Sequence, residues 1–344
     1  MIWLTWRQLR TQSMVAIAAL AATALVLGIT GPHLAHLFHV EISSCIQHSG
    51  SGACDNSTLN AFTATYEFVQ RFFGYALIVI PGLIGAFWGA PLLTREIESG
   101  THQVAWNQSV TRTRWLTVKV GLIGLAGATG VGLLSLMLTW WSSPLDRVNA
   151  NRITPPVFDQ RGIDPIGWAL FAFALGLTAA VLLRRTLPAM ATALAVFTGA
   201  RIVWPLYIRA HLIPPVHQAA AVGSVPYDGV GVNNGPGSAM VVHVSKPGAW
   251  VLSEHTVNAV GHQVAGSTLF NLCPVTVTNG VGERPPDSCF IQNLVQLGYN
   301  RTVLTYQPAN RFWPLQGVET GILAAAAVLL AAFCYWWVRR GKVS

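Results

Sequence analysis

The sequence predicts an all-α membrane protein with six transmembrane helices and a small mixed α/β domain outside the membrane. Only 10% of its 344 residues are charged and 52% are hydrophobic, whereas a water-soluble domain usually carries about a quarter charged residues. Six apolar runs approach or exceed the roughly 20 helical residues that cross a hydrocarbon core of about 30 Å. We therefore expect most of the chain to lie in a lipid bilayer.

The apolar runs divide the chain into five regions. Residues 1–12, with Trp3 and Trp6 beside Arg7 and Arg10, predict an amphipathic helix on the inner membrane surface. The regions that follow are transmembrane helices 1–5 in 13–208, an extracytoplasmic domain in 209–314, helix 6 in 315–338 and a cytoplasmic tail in 339–344. The segment 209–314 is too long for a plain loop. Within it, "AMVVHVS" predicts a strand and "CFIQNLVQLGY" a helix.

Basic residues predict which ends of the helices face the cytoplasm, because Lys and Arg near helix ends are retained there. With the N-terminus inside, the inner segments carry Arg7, Arg10, Arg95, Arg112, Arg114, Lys119, Arg184, Arg185, Arg339, Arg340 and Lys342. The two shorter outer loops hold only Arg71, Arg147, Arg152 and Arg161. We expect both termini in the cytoplasm. The formal charge of +8 is then explained by membrane topology, and no nucleic-acid partner is expected.

Four of the five cysteines fall on the predicted outer side, where disulfides persist. Cys45 and Cys54 lie in the first outer loop, and Cys273 and Cys289 lie in the outer domain. We expect the pairs Cys45–Cys54 and Cys273–Cys289, although sequence alone does not fix connectivity. Buried free thiols are the alternative.

Several catalytic motifs are absent from the sequence. It contains no G-x-x-x-x-G-K-[ST] loop, so it does not predict a phosphate cradle for ATP. It also lacks H-E-x-x-H, G-x-S-x-G and C-x-x-C. These absences argue against a self-contained ATPase and against the common intramembrane hydrolases.

Two charged residues within apolar runs are candidates for a transport pathway or gate. Arg201 lies in the outer part of helix 5, and Glu319 lies about one turn into helix 6. Intramembrane charges often mark a substrate or ion path. The alternative is an interfacial residue whose charged end reaches water, and this is the favoured interpretation for Glu319. For Arg201, which lies deeper, both interpretations stay open.

Two further patterns in the apolar runs have plain structural interpretations. His33, His36 and His39 share one helical face, which is compatible with a metal site. No carboxylate completes a ligand set there, so a hydrated helix end is favoured and we predict no metal site. Gly121, Gly124, Gly127 and Gly130 form a helical stripe that predicts close packing against another helix.

The most polar inner segment is "TREIESGTHQVAWNQSVTRTRW", residues 94–115. Gly100 and Thr101 supply a break and a helix N-cap. The stretch "HQVAWNQ" is long enough for two turns of surface helix, with Val104 and Trp106 in an apolar patch. We expect residues 94–114 to form a cytoplasmic protrusion between helices 2 and 3.

This segment resembles the cytoplasmic loop of ABC-2 type transporter permeases. Those proteins show Glu-x-Glu-x-Gly-Thr, an apolar stretch, a small-residue turn with Arg and a Lys entering the third helix. The matching residues are Glu96, Glu98, Gly100, Thr101, Arg112 or Arg114, and Lys119. Ser109-Val110 stands where the family often has Pro. The stretches "MIWLTWRQ", "FWGAPLLTRE" and "YQPANRFWPLQ" resemble an actinobacterial branch of these permeases.

The resemblance implies the membrane subunit of an ATP-driven exporter in a bacterial plasma membrane. Two permease chains, identical or different, would enclose the path, and two copies of a separate ATPase would bind ATP and Mg. This chain itself would hold no cofactor and catalyse no reaction. The expected substrate is a hydrophobic or amphiphilic compound such as a drug, lipid or peptide. The residues expected to couple to the ATPase are Glu96, Glu98, Gly100, Thr101, Val104, Trp106, Arg112 and Arg114.

Two other functions are compatible with the sequence. One is an ABC-linked membrane sensor whose outer domain binds a ligand and whose ATPase signals without transport. The other is a membrane enzyme that uses His33, His36 and His39 at the outer face. The sensor predicts ATP hydrolysis without substrate movement, and the enzyme predicts activity that needs no nucleotide and is abolished by chelation.

Overall fold

The computed structural model describes residues 2–43, 56–98, 112–149, 151–232, 239–265, 272–274, 276–278, 281–283 and 285–340. The chain forms two compact units. The first comprises Met1–Leu212 and Phe312–Ser344, and the second comprises Ile213–Arg311.

The first unit is helical and contains, within the described residues, six helices long and apolar enough to cross a membrane. We number them as spans 1–6: Ser13–Ile42, Ser57–Glu96, Thr117–Trp141, Asp164–Leu183, Thr186–Leu212 and Ala309–Arg339. The six predicted helices are thus confirmed. Spans 2 and 4 end, and spans 3 and 5 begin, at what we call the Glu98 end. Spans 1, 3 and 5 end, and spans 2, 4 and 6 begin, at the Asp164 end.

The helices extend beyond the spans, and three of them contain one π-helical turn. The bounds are Ile2–Leu37 with the π turn Phe38–Ile42; Asn56–Ile84, the π turn Gly85–Gly89 and Ala90–Glu98; Arg112–Trp141; the short helix Ser143–Asn149; a 3₁₀ turn Phe158–Gln160; Asp164–Leu183; Thr186–Val203, the π turn Trp204–Ile208 and Arg209–Leu212; and Phe312–Arg339. The first helix runs without a break from Ile2 into span 1. A surface location for residues 1–12 stays a prediction.

Span 4 lies at the centre of the helical unit. Most of its residues are buried, whereas few residues of spans 1, 5 and 6 are buried in the single chain. It lies so close to span 2 that a Cβ at Gly176 would be only 2.1 Å from the carbonyl oxygen of Gly85. Only glycine therefore permits this approach of the two backbones, which is typical of membrane helix pairs.

The predicted glycine stripe of span 3 is only half in contact with neighbours. A Cβ on Gly124 would lie 3.1 Å from the Phe173 ring, and one on Gly127 would lie 3.3 Å from Ile84. At Gly121 and Gly130 no described atom lies within 4 Å. The prediction of close packing is confirmed at Gly124 and Gly127. It is wrong for the single chain at Gly121 and Gly130, where the face of span 3 is open.

The second unit is the predicted small mixed domain. A three-stranded antiparallel sheet has the order β1-β7-β4, and two hairpins pair β2 with β3 and β5 with β6. The strands are β1 Val216–Ala221, β2 Tyr227–Val232, β3 Met240–Val244, β4 Trp250–Val257, β5 Thr276–Thr278, β6 Val281–Glu283 and β7 Arg301–Gln307. The helix Asp287–Gln296 packs Phe290 and Leu294 into a core with Met240. Cys273 and Cys289 form a disulfide, whereas Cys45 and Cys54 lie outside the described residues.

The domain is slightly shorter than the predicted segment 209–314. Residues Arg209–Leu212 continue the helix of span 5, and the helix of span 6 begins at Phe312. The predicted helix 5 ended before Arg209, because a charged residue is unfavourable in a transmembrane helix. Arg209 stays helical because carboxylates of the helical unit surround it, as described next.

Candidate functional sites at the two ends of the helical unit

At the Glu98 end, span 2 is joined to span 3 by an ion pair. The ammonium of Lys119 donates a hydrogen bond to Oε1 of Glu96. The Lys119 side chain is 2% exposed and that of Glu96 13%. Screening by water and salt is weak at such a site. The pair therefore fixes the last turn of span 2 against the first turns of span 3.

The next carboxylate of the same turn, Glu98, is bonded to a different span. It accepts hydrogen bonds from the backbone N–H and the hydroxyl of Thr186, each 2.8 Å long. Thr186 is the first residue of the span 5 helix. A helix N-terminus carries unpaired N–H groups and a positive partial charge, so a carboxylate placed there is favourable. The Thr186 hydroxyl also lies 2.9 Å from the hydroxyl of Thr94.

The hydrogen bonds from Thr186 lower the pKa of Glu98, and the positive charge of Arg185 lowers it further. Spans 4 and 5 are joined only by Arg184 and Arg185, and Arg184 adopts the left-handed conformation with φ of 55°. Glu98 thus remains ionised at neutral pH and contacts the tight turn between spans 4 and 5.

The predicted coupling residues are only partly described. Glu96 and Glu98 end the helix of span 2, Arg112 begins the helix of span 3, and Arg114 is exposed near that start. Gly100, Thr101, Val104 and Trp106 lie in residues 99–111, outside the described residues. The structure places the motif carboxylates at the start of this segment. Both are hydrogen-bonded to other spans.

At the Asp164 end, five charged residues form what we call the carboxylate–arginine cluster: Asp159, Asp164, Arg201, Arg209 and Glu319. They come from the 3₁₀ turn before span 4, the first residue of span 4, two positions of span 5 and the third turn of the helix that begins at Phe312. Oxygen atoms of the three carboxylates lie within 4.8 Å of one another.

Arg209 is the centre of the cluster and is completely buried. Its Nε and Nη2 donate to the two oxygens of Glu319, both at 2.7 Å. Nη2 also donates to Asp159. The guanidinium lies over the Phe158 ring, 4.3 Å from its centroid. Such two-pronged pairing is the geometry in which arginine binds carboxylates most strongly.

Arg201 forms the second positive charge of the cluster. Its Nη1 lies 3.3 Å from Asp159 and 3.6 Å from Asp164, and its guanidinium is 4.5 Å from the centroid of the Trp168 ring. The Trp168 indole in turn donates to Glu319 at 3.3 Å. Burial raises the pKa of Asp159, but the charges of Arg201 and Arg209 outweigh it, so the pKa lies below its ordinary value.

A buried glutamine positions the start of span 4. Oε1 of Gln316 accepts from the N–H groups of Ile163 and Asp164 at 2.9 and 2.7 Å. Its Nε2 donates to the carbonyls of Phe158 and Arg161 at 3.1 and 3.0 Å. Because Gln316 belongs to span 6, it fixes the loop before span 4 against the helix that carries Glu319.

The cluster corrects one prediction and extends another. The interpretation of Glu319 as an interfacial residue that reaches water is wrong, because the residue is 0% exposed and paired with Arg209. Arg201 and Glu319 do lie in one cluster, connected through Asp159, Trp168 and Arg209. The sequence reading missed Asp159, Asp164 and Arg209. The signal in the sequence is that charged residues are rare in this chain, so three acids and two arginines in or beside the apolar runs are candidates for a shared site.

The histidine face of span 1 does not form a metal cluster in the described structure. Nδ1 of His33 lies 2.5 Å from the hydroxyl of Tyr66 in span 2, so this ring links two spans. Within the described residues, the side chains close enough to share a cation are the three carboxylates of the cluster. Two guanidinium groups already neutralise part of their charge.

An apolar groove of about 1030 Å³ lies along spans 1, 2 and 3. Leu27, Leu77, Ile80, Trp88 and Gly130 are among its lining residues. The open face of span 3 at Gly130 forms part of its wall. A groove of this composition can accommodate hydrocarbon.

Comparison with known proteins assigns the chain to a family. A family model described as ABC-2 membrane transporter related matches residues 17–209, more than half of the chain and five of its six spans. No curated protein and no solved structure matches the chain. Membership implies a membrane transport component that associates with an ABC ATPase. With its six apolar helices and the Glu-x-Glu turn bonded to spans 3 and 5, the chain is a multi-pass membrane protein that belongs to the ABC-2 membrane transporter related family.

Proposed function

We propose that the chain is the permease subunit of an ATP-driven exporter in a bacterial plasma membrane, with the Glu98 end and both termini in the cytoplasm. The distribution of basic residues supports this orientation. Arg95, Arg112, Arg114, Arg184, Arg185, Arg339 and Arg340 all lie at the Glu98 end. At the opposite end Arg161, Arg201 and Arg209 are engaged in ion pairs inside the helical unit.

Residues 99–111, with the flanking Arg112 and Arg114, form the proposed contact with a separate ATPase. The observation that carries this proposal is that Glu96 and Glu98, in the last turn of the span 2 helix, each bind another span. Glu96 is bonded to span 3 through Lys119, and Glu98 is bonded to span 5 through Thr186. A displacement of the segment would therefore move three spans together.

The proposed assembly contains two permease chains, identical or different, and two ATPase subunits. ATP and Mg bind to the ATPase, and this chain contributes the contact with the ATPase and part of the path for the substrate. Few residues of spans 1, 5 and 6 are buried in the single chain, which leaves apolar surface for lipid and for a second permease.

The proposed substrate is hydrophobic or amphiphilic, because the groove along spans 1–3 has an apolar lining. Replacing Gly130 by Leu fills the groove without a clash, since no described atom lies within 4 Å of its Cβ position. We expect transport to fall roughly tenfold, the effect of about 1.4 kcal/mol of lost binding free energy, while ATP hydrolysis persists. The control is Gly321→Leu in span 6, which has the same open surroundings and lies outside the groove.

The direct test uses the chain and its ATPase in sealed vesicles that contain a headgroup-labelled fluorescent phospholipid and, separately, a hydrophobic dye. We expect ATP-dependent movement of at least one probe, and about tenfold slower movement with Gly130→Leu than with Gly321→Leu. ATP hydrolysis without movement of either probe would instead support the sensor. Equal transport by the two variants would remove the groove from the path.

A further inference from the structure

The carboxylate–arginine cluster holds one more negative than positive charge. Three carboxylates face two guanidinium groups, and the charged groups that act on Asp164 are Glu319, Arg201, Arg209 and Asp159. Arg161, the next arginine of this end, forms its own pair with Asp146 through Nε at 3.1 Å and Nη2 at 3.2 Å. Its charge is therefore not available to the cluster.

A surplus charge in this position is costly. Asp164 and Glu319 are 0% exposed and Asp159 is 4% exposed. Even after relaxation, burial of an ion without full compensation is strongly unfavourable. A buried group in such surroundings usually neutralises itself instead of remaining charged. The surplus on the cluster must be balanced by one unit of positive charge.

Asp164 is the carboxylate whose charge is least compensated by contacts. Glu319 accepts two hydrogen bonds from Arg209 and one from Trp168, and Asp159 accepts one from Arg209. Neither oxygen of Asp164 has a hydrogen-bond partner. Its ion-pair neighbour, Nη1 of Arg201, lies 3.6 Å away, which is beyond hydrogen-bond distance.

We propose that the carboxylate–arginine cluster is a proton-binding site and that Asp164 carries the proton. An O–H bond forms on one Asp164 oxygen as a solvent hydronium ion gives up a proton and becomes water, and the net charge of the cluster changes from −1 to 0. The oxygens of Asp159 and Glu319, within 4.8 Å, are the nearby acceptors. A separation of spans 4, 5 and 6 that admits water would stabilise the ionised form and release the proton.

This site does not depend on the proposed transport function, and it can be tested without an ATPase. The full chain is placed in lipid bilayers at neutral pH, and the infrared C=O band of protonated carboxyl groups is recorded. We expect a band in the wild type that disappears in Asp164→Asn. The control is Glu67→Gln, which alters an exposed carboxylate paired with Arg71, and it should retain the band.

A melting experiment guards against misfolding of the variant. Asn is a neutral substitute of nearly the same shape as protonated Asp, so Asp164→Asn should melt at the wild-type temperature. Asp159→Asn, which weakens the contacts with both arginines, should melt lower. The proposal is overturned if the wild type shows no carboxyl band, if the band survives in Asp164→Asn, or if the two variants melt equally low. A missing band together with stabilisation by sodium, compared with a bulky organic cation, would assign the positive charge to a metal ion.

Discussion

The Asp164 end of the helical unit buries five charged side chains, whereas the Glu98 end holds Glu96 and Glu98, the two carboxylates that precede residues 99–111. In the cluster Arg209 and Glu319 are both 0% exposed, and their pairing joins span 5 to span 6. At the Glu98 end, Glu98 is exposed although it is bonded to Thr186. The difference indicates that the first end holds spans together, and it is consistent with our proposal that the second end contacts the ATPase.

This comparison predicts unequal losses of stability when one positive charge is removed from each end of the helical unit. Arg209→Met leaves Asp159 and Glu319 buried without their main cation, so the free energy of unfolding should fall by about 3–5 kcal/mol. Lys119→Met leaves Glu96, which is 13% exposed and can reach water, so a loss of about 1–3 kcal/mol is expected. Melting curves of the purified variants in detergent measure both.

The control for these two variants is Arg339→Met, which changes an exposed residue and should leave the melting temperature unchanged. Equal losses for Arg209→Met and Lys119→Met would contradict the distinction between the two ends. A wild-type melting temperature for Arg209→Met would show that the cluster does not hold spans 4–6 together.

A smaller effect is expected at Glu98, where the hydrogen bonds from Thr186 lower the pKa. A lowered pKa in the folded state means that the ionised group stabilises the fold above its ordinary pKa of about 4.3. That contribution is lost as the pH falls through the folded-state pKa. The melting temperatures of wild type and Glu98→Gln should therefore differ at neutral pH and converge below about pH 4.

The control for this pH series is Glu67→Gln, which alters a carboxylate paired with Arg71 on one exposed helix face. Exposed pairs of this kind contribute little, so its melting temperature should follow the wild type throughout. A gap between wild type and Glu98→Gln that stays constant with pH would show that the charge of Glu98 does not matter for the contact with span 5.

The sequence predicts the helical unit well because hydropathy over about 20 residues reports directly on membrane crossing. It also places Glu96 and Lys119 on adjacent helix ends. It does not predict the bond from Glu98 to Thr186, since these residues are 88 positions apart and meet only when spans 2 and 5 are packed. Local sequence does not contain that information.

The carboxylate–arginine cluster is also not predicted from the sequence, because its residues are far apart along the chain. Glu319 and Arg209 are 110 residues apart, and each looks like an interfacial charge when taken singly. Arg209 also ended the predicted span 5 too early, because a charge lowers local hydropathy. Once Glu319 neutralises it, the helix continues to Leu212.

The most direct test of the central claim measures binding of the ATPase to the segment between spans 2 and 3. The purified chain is held in lipid nanodiscs, and the ATPase encoded beside it is titrated against wild type, Trp106→Ala and Trp313→Ala. Trp313 is 60% exposed at the Asp164 end and serves as the matched control. Since a buried interface Trp commonly contributes about 2 kcal/mol or more, Trp106→Ala should weaken binding by at least about tenfold, and Trp313→Ala should leave it unchanged. Equal affinities for all three proteins would contradict the claim that this segment binds the ATPase.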